Sequence, residues 1–162
     1  MTTSSPPPFQ AFLDEHRGPV LAYLRAAVGP HHADDAFQET FMAALRAYKR
    51  MDGRHPRAWV MTIARRKAID HHRARARSPE PRGELPEQPV AGPEAQAGDG
   101  DVWSAVAELS QAQRDAVALR YAADLSYREI GETLGISEAA ARRRVSDALA
   151  NLRTRIAEEE IR

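Results

Sequence analysis

The sequence predicts an all-α chain: two small helical domains joined by a flexible linker. Three observations carry this. Apolar residues recur at helical spacing through residues 9–77 and again from Asp101 onward. The stretch between, SPEPRGELPEQPVAGPEAQAGDG, holds five Pro and four Gly and almost no large apolar residue. Residues 125–155 read as a helix, a three-residue turn and a second, longer helix. No strand pattern competes.

Residues 1–8 form a polar, Pro-rich tail, expected to be disordered. The first domain spans 9–77. Its first helix, 9–28, is apolar at Phe9, Phe12, Leu13, Val20, Leu21 and Leu24, with Gly18-Pro19 as a point of kinking or division. Gly29-Pro30 ends it. A second helix is expected from about His32 to Tyr48, with Ala36, Phe37, Thr40, Phe41, Ala44, Leu45 and Tyr48 recurring at helical spacing. Asp34 and Asp35 suit its first turn. The turn KRMDGRHP follows, and Pro56 is placed to open a third helix reaching about Arg77. Trp59 on that helix is read as core rather than a base-stacking platform.

The second domain spans 101–157, followed by a tail at 158–162. Val102, Trp103, Val106 and Leu109 share one helix, and Ser110 caps the next. Ser126 with Glu129 forms a capping box, the serine oxygen taking a free amide and the glutamate reaching back. Gly135 suits a left-handed stop, with Ile136 packing beneath. Ser137 caps the last helix, and Glu138 complements its positive end. At about 100° per residue, Ala141, Val145, Ala148, Leu149, Leu152 and Ile156 fall on one stripe. The opposite side carries Ala139, Arg142, Arg143, Ser146, Ala150 and Arg153. Small side chains let a helix approach a groove, and arginines take phosphates or guanine edges. Caps, turn and face composition together point to a DNA-binding helix-turn-helix rather than an ordinary helical hairpin.

Charge sorts the chain further. The 162 residues carry 23 Lys+Arg and 23 Asp+Glu, a formal net charge of zero. Residues 10–77 nevertheless hold 13 basic against 7 acidic residues, and 78–100 hold one against five. Such asymmetry suits a nucleic-acid surface. The third helix carries Arg65, Arg66, Lys67, Arg73, Arg75 and Arg77 with one acid, Asp70. It adjoins Trp59, Tyr48 and a loop with Lys49, Arg50, Arg54 and His55, a combination suited to backbone capture and unstacked bases. Asp34, Asp35, Gln38 and Glu39 gather near the start of the second helix. Taken alone they fit either a solvated helix end or an acidic docking face.

Other classes recede. There is no cysteine, so disulfides and thiolate metal sites are excluded. No apolar run approaches 18 residues, and the start MTTSSPPPF lacks the parts of a signal peptide, so a cytoplasmic protein is expected. His71-His72 are adjacent on a helix and point about 100° apart, and His31-His32 lack an HExxH frame. No metal site, cofactor or catalytic residue is expected, and the chain is not read as an enzyme.

The order DDAFQETFMAALRAY, then PRAWVMTIARRKAIDHHR, then a linker, then LSYREIGETLGISEAAARRRVSDALANLR resembles the extracytoplasmic-function (ECF, group IV) sigma factors of the bacterial sigma-70 family. The resemblance covers nearly everything but tail and linker. It implies that 9–77 is region 2, a three-to-four-helix bundle, and 101–157 region 4. It implies core polymerase as partner, through the β′ clamp helices and the β flap, and promoter DNA. It also implies an anti-sigma factor and no membrane insertion. Asp35, Gln38, Glu39 and Thr40, with Asp34 beside them, match the polymerase-docking segment. Lys49, Arg50, Arg54, His55, Arg65, Arg66, Lys67, Asp70 and Arg73 match the segment that reads and melts the −10 element. Ser126, Arg128, Ser137, Arg142, Arg143, Arg144 and Ser146 match the −35 reader. Arg66 stands where relatives often have Asn, Ala140-Ala141 where Thr-Val is usual, and Asp147 where a basic residue is usual. The residues by themselves leave two rivals: a stand-alone helix-turn-helix regulator without polymerase contact, which leaves 9–77 without a task, and an enzyme acting on nucleic acid through the histidines, for which no site is visible.

The linker sets a geometric condition. Its 23 residues span about 26 Å as a free coil and roughly 75 Å extended. Two turns of DNA measure about 70 Å. Both elements are held together only when the linker is drawn out and guided, so the free protein is expected to bind promoters poorly.

Overall fold

In a computed structural model the described residues are 6–51, 53–77 and 99–162. They form seven α-helices and no strand. Helix α1 (Phe9–Val28) runs unbroken through Gly18-Pro19. Its buried stripe, Phe12, His16, Val20, Tyr23, Leu24 and Val28, keeps helical spacing across the proline, so packing on both sides outweighs the lost amide. The chain turns at Gly29, whose φ of 83° is in the left-handed region that favours glycine. Pro30 opens helix α2 (Pro30–Ala47) at its first turn, two residues before the expected start. That shift moves Asp34 and Asp35 out of the first turn, so the helix dipole does not account for them.

Leu45 is a second correction. Read from spacing as core, it is 55% exposed, beside Met42 at 54%. The inward stripe of α2 is instead Ala33, Ala36, Thr40, Phe41 and Ala44. A short 3-10 turn (Tyr48–Arg50) follows, then helix α3 (Pro56–Arg77), which buries Ala58, Val60, Met61, Ala64 and Ala68. Small residues dominate that list and let α3 lie close against its neighbours. Trp59 is partly buried, its ring 5.8 Å from that of Phe12. Of the expected tail, residues 1–5 lie outside the described residues; next to α1, Tyr48 donates its hydroxyl to the Pro7 carbonyl, and the Pro8 carbonyl accepts from the amide of Ala11.

The linker lies outside the described residues, apart from Asp99 and Gly100, which open helix α4 (Asp99–Ala107). Ser110 caps α5 (Gln111–Val117), accepting from the Gln113 amide at 3.3 Å. A π-helical turn (Ala118–Ala122) leads on to α6 (Tyr127–Leu134). Ser126 accepts from the Glu129 amide at 3.1 Å, forming the serine half of the capping box. Glu129 Oε2 is buried without a hydrogen-bond partner. Gly135 ends α6 at φ 70°, and the Ile136 amide returns to the Gly131 carbonyl at 2.9 Å. Ser137 caps α7 (Glu138–Ile161), which continues through the residues expected to be a tail.

The two halves pack against each other. Helices α1 and α3 meet the π turn and α6. One core holds Phe12, Val20 and Leu24 from the first half with Leu119, Leu125, Ile130 and Val145 from the second. A smaller core, Ala105, Val106, Leu109, Val117, Ala148 and Leu152, lies within the second half, with Leu149 touching both.

Two outcomes are expected. His16 is 2% exposed, its ring nitrogens have no hydrogen-bond partner, and burial pulls it below the ordinary 6.5 despite the opposing Glu15 charge. The unfolded chain therefore takes up the proton first, so stability is full above 6.5 and falls as pH drops through that value. Melting temperature measured from pH 7.5 to 5.5 should fall, and less in His16→Phe. A Cβ at Gly131 meets the Ile136 carbonyl oxygen at 2.7 Å and the Glu138 amide at 3.3 Å. Gly131→Ala should destabilise by about 1–3 kcal/mol, read by urea denaturation.

Candidate nucleic-acid interface

Helix α7 divides as its sequence predicts. Ala141, Val145, Ala148 and Leu152 are buried, while Ala139, Arg142, Arg143, Ser146, Ala150 and Arg153 are exposed. Ser126, Arg128 and Ser137 are also exposed, at the starts of the two helices of the motif. Arg144 is set lower, in an open groove of about 370 Å³ that Ser110, Gln113, Arg143 and Asp147 also line. The serine oxygens of Ser126 and Ser137 are occupied by their own helix amides, so their main work here is capping.

Three exposed arginines of the motif each have an acid four residues away. Arg128 is 3.4 Å from Glu132, Arg142 3.8 Å from Glu138, and Arg143 3.9 Å from Asp147. Pairs this exposed contribute little and are screened by salt, so they orient the guanidinium groups without cancelling them. Asp147 thus works first as the partner of Arg143. Tyr127 adds a second hold: Arg142 is 5.1 Å and Arg120 4.6 Å from its ring centroid. Arg120 is fixed in turn by the Leu125 carbonyl at 3.0 Å. Tyr127 was absent from the sequence expectation, although its position beside the Ser126 cap was visible.

The second basic surface is only partly gathered. Lys49 and Arg50 are exposed on the 3-10 turn, and Arg54 and His55 on the loop before α3. Arg66, Asp70 and Arg73 are exposed along one side of α3, while Lys67 is half-buried. Arg65 faces elsewhere. Its Nε donates to Asp115 Oδ2 at 3.0 Å, and Tyr23 donates its hydroxyl to Asp115 Oδ1 at 3.3 Å. Burial, then the Asp115 charge, holds the Tyr23 phenol well above 10.0. His55 Nδ1 lies 3.1 Å from Glu132 Oε2. Two of the expected −10 residues are therefore engaged by carboxylates of the other half.

On α2, Asp34, Asp35, Gln38 and Glu39 are exposed. Met42 and Leu45 continue this side of the helix as exposed apolar groups, which the sequence reading missed. Thr40 is a correction: it is fully buried, and its hydroxyl donates to the Ala36 carbonyl at 2.7 Å. It can shape the helix beneath the acidic face but cannot touch a partner seated on it.

The histidines converge without forming a metal set. The rings of His32 and His71 are 4.5 Å apart, and His72 Nε2 is 2.8 Å from the Ala27 carbonyl. Burial, then the neighbouring His32, lowers the His71 pKa from 6.5. Among the described residues, no group of three or more His, Cys, Asp or Glu is placed to hold a metal ion.

The profile of Sigma-70 region 2 matches residues 12–78, and that of Sigma-70, region 4, matches 99–152. The "ECF RNA polymerase sigma factor ShbA" of Streptomyces griseus is 36% identical over 135 residues, covering 76% of this chain and 71% of that protein. The "Probable RNA polymerase sigma-C factor" of Mycobacterium bovis is 32% identical over 144 residues, covering 86% and 78%. The chain belongs to the ECF RNA polymerase sigma factors. It is similar in structure to the sigma factor RpoE in complex with the anti-sigma factor NepR from Bartonella quintana, with TM-score 0.72, 25% identity, and 90% and 94% of the two chains covered. CnrH, solved in complex with the cytosolic domain of CnrY, has the same fold, with TM-score 0.71 and 23% identity over 93% and 88%. The region 4 match covers α6 and the first part of α7, as far as residue 152, and α7 of this sigma factor runs on to Ile161.

Arg142→Ala and Arg143→Ala should each weaken DNA binding by region 4 by about 1–3 kcal/mol where the guanidinium meets a base edge. Footprinting of polymerase bound to a promoter should show reduced −35 protection in both variants.

Proposed function

We propose that this sigma factor docks on core RNA polymerase through the acidic face of α2, reads the −35 element with α7, and opens the −10 element with the loop and helix of region 2. The open α7 face, capped by Ser137 and lined by Arg142, Arg143 and Ser146, carries the reading. Its approach side has small groups flanked by oriented guanidiniums, as a major-groove reader needs. Asp34, Asp35, Gln38 and Glu39 form the docking face, and Met42 and Leu45 add exposed apolar area at its end. Lys49, Arg50, Arg54, Arg66 and Arg73 supply cations for the separated strand.

The protein contributes specificity and has no catalytic chemistry of its own; the polymerase makes the bonds. It works in the cytoplasm, at the nucleoid when joined to polymerase. No helix among the described residues is long and apolar enough to cross a membrane. An anti-sigma factor controls it by covering these surfaces. Support comes from RpoE, a structural neighbour solved with its anti-sigma factor.

Run-off transcription with core polymerase on genomic fragments tests this reading. Added protein should create start sites that core enzyme alone does not use. Asp35→Arg should cut that activity about 10-fold or more, a loss of at least ~1.4 kcal/mol in docking, with an unchanged melting temperature. Tight operator binding without core enzyme, and no new start sites, would favour the stand-alone regulator.

A further inference from the structure

One side chain outside the reading face of α7 reaches a group on it. Tyr127 opens α6, is half-buried and packs against the shared core. Its ring centroid lies 5.1 Å from the Arg142 guanidinium and 4.6 Å from that of Arg120. Both distances fall within the ~6 Å over which a ring face attracts a cation. Arg120 is half-buried and donates from Nη1 to the Leu125 carbonyl at 3.0 Å. The ring is thus held by the core and by a cation that is itself tied to the backbone.

Arg142 and Arg143 differ in what holds them. Arg143 meets Asp147 at 3.9 Å, and both side chains are exposed. Salt screens such a pair and leaves the long side chain mobile. Arg142 meets exposed Glu138 at 3.8 Å and has the Tyr127 ring besides. A planar guanidinium on a neutral ring gains from stacking contact as well as from the field, so dissolved salt takes less from it. Side chains on a helix lean toward its N-terminus, which carries Arg142 toward Glu138.

We propose that Tyr127 is a positioning residue for −35 recognition: its ring sets the Arg142 guanidinium in place before DNA arrives and makes Arg142 the discriminating contact of α7. This rests on the functional reading above. An arginine reads guanine with two N–H donors aligned on O6 and N7. A free arginine that meets the wrong base swings to a phosphate and recovers part of the loss. A held arginine has no such escape, so a wrong base pair carries its full cost. Ordering the side chain in advance also removes a cost otherwise met on binding. Tyr127 therefore governs selectivity without reading a base itself.

The test uses holoenzyme reconstituted with the full chain, on a promoter mapped by run-off and on versions with each −35 base pair exchanged in turn. Arg142→Ala and Arg143→Ala first mark the base pairs whose preference depends on each arginine. Tyr127→Leu should then lower selectivity about 3-fold or more at the Arg142 base pairs, the scale of one side chain's ordering cost. At the Arg143 base pairs it should change selectivity by less than about twofold, since distant groups act independently. In the Arg142→Ala background, Tyr127→Leu should add less than about twofold, as a coupled pair requires. Tyr127→Phe keeps the ring and should restore selectivity. A loss spread evenly over all base pairs, or one that persists in the Arg142→Ala background, assigns Tyr127 to the fold and overturns the proposal. An equal loss in Tyr127→Phe assigns the effect to the hydroxyl and overturns it too. Normal initiation by the wild type alongside either result confines the failure to Tyr127. Absence of initiation with wild-type protein rejects the functional reading and this proposal together.

Discussion

A buried carboxylate fixes how the halves of this sigma factor meet. Asp115 loses its water to the interface, and a lone ionised carboxylate there would cost several kcal/mol. Its compensation comes entirely from the other half, from Arg65 on α3 and Tyr23 on α1. A one-turn slip of α5 along α1 would leave the charge unpaired. The polar triad thus ties α5 to α1 and α3 at one point of a contact that is otherwise apolar.

Local chemistry was legible in the sequence because its causes are local. Ser110, Ser126 and Ser137 cap where they were expected to, each accepting an amide three residues on. Gly135 takes the left-handed stop, and Pro56 opens α3. The division of α7 into buried and exposed sides follows from periodicity alone. What was not legible is what depends on partners distant in sequence. Asp115 and Glu132 look like ordinary solvated acids in QRDAV and GETL, and nothing local marks them as partners of residues about 50 to 90 positions away. Arg65 looks the same as Arg66, yet 100° of helix rotation sends one to the interface and the other to solvent.

On α2 the structure departs from the sequence expectation at three places, each with its own cause. Setting the helix start two residues late put the acids in its first turn and gave them a dipole explanation they do not need. Spacing alone puts both Leu45 and Thr40 on the inward stripe, and the family resemblance puts Thr40 in the docking set. Burial follows spacing for Thr40, whose hydroxyl is satisfied by its own backbone and is cheap to bury, while Leu45 lies outside and exposes apolar area. Leu45 lies next to Met42 on the side of the helix that carries Glu39, so the acidic face ends in exposed apolar area.

The arrangement also changes what the charge distribution means. The excess of base over acid in 10–77 reads, on sequence, as one surface for nucleic acid. In the folded chain it is partitioned. Arg65 and His55 answer to region 4, whereas Arg66, Arg73, Lys49 and Arg50 remain at the surface. The exposed cations stay available to interactions at long range, where only net charge matters, while Arg65 and His55 direct theirs to carboxylates within the chain.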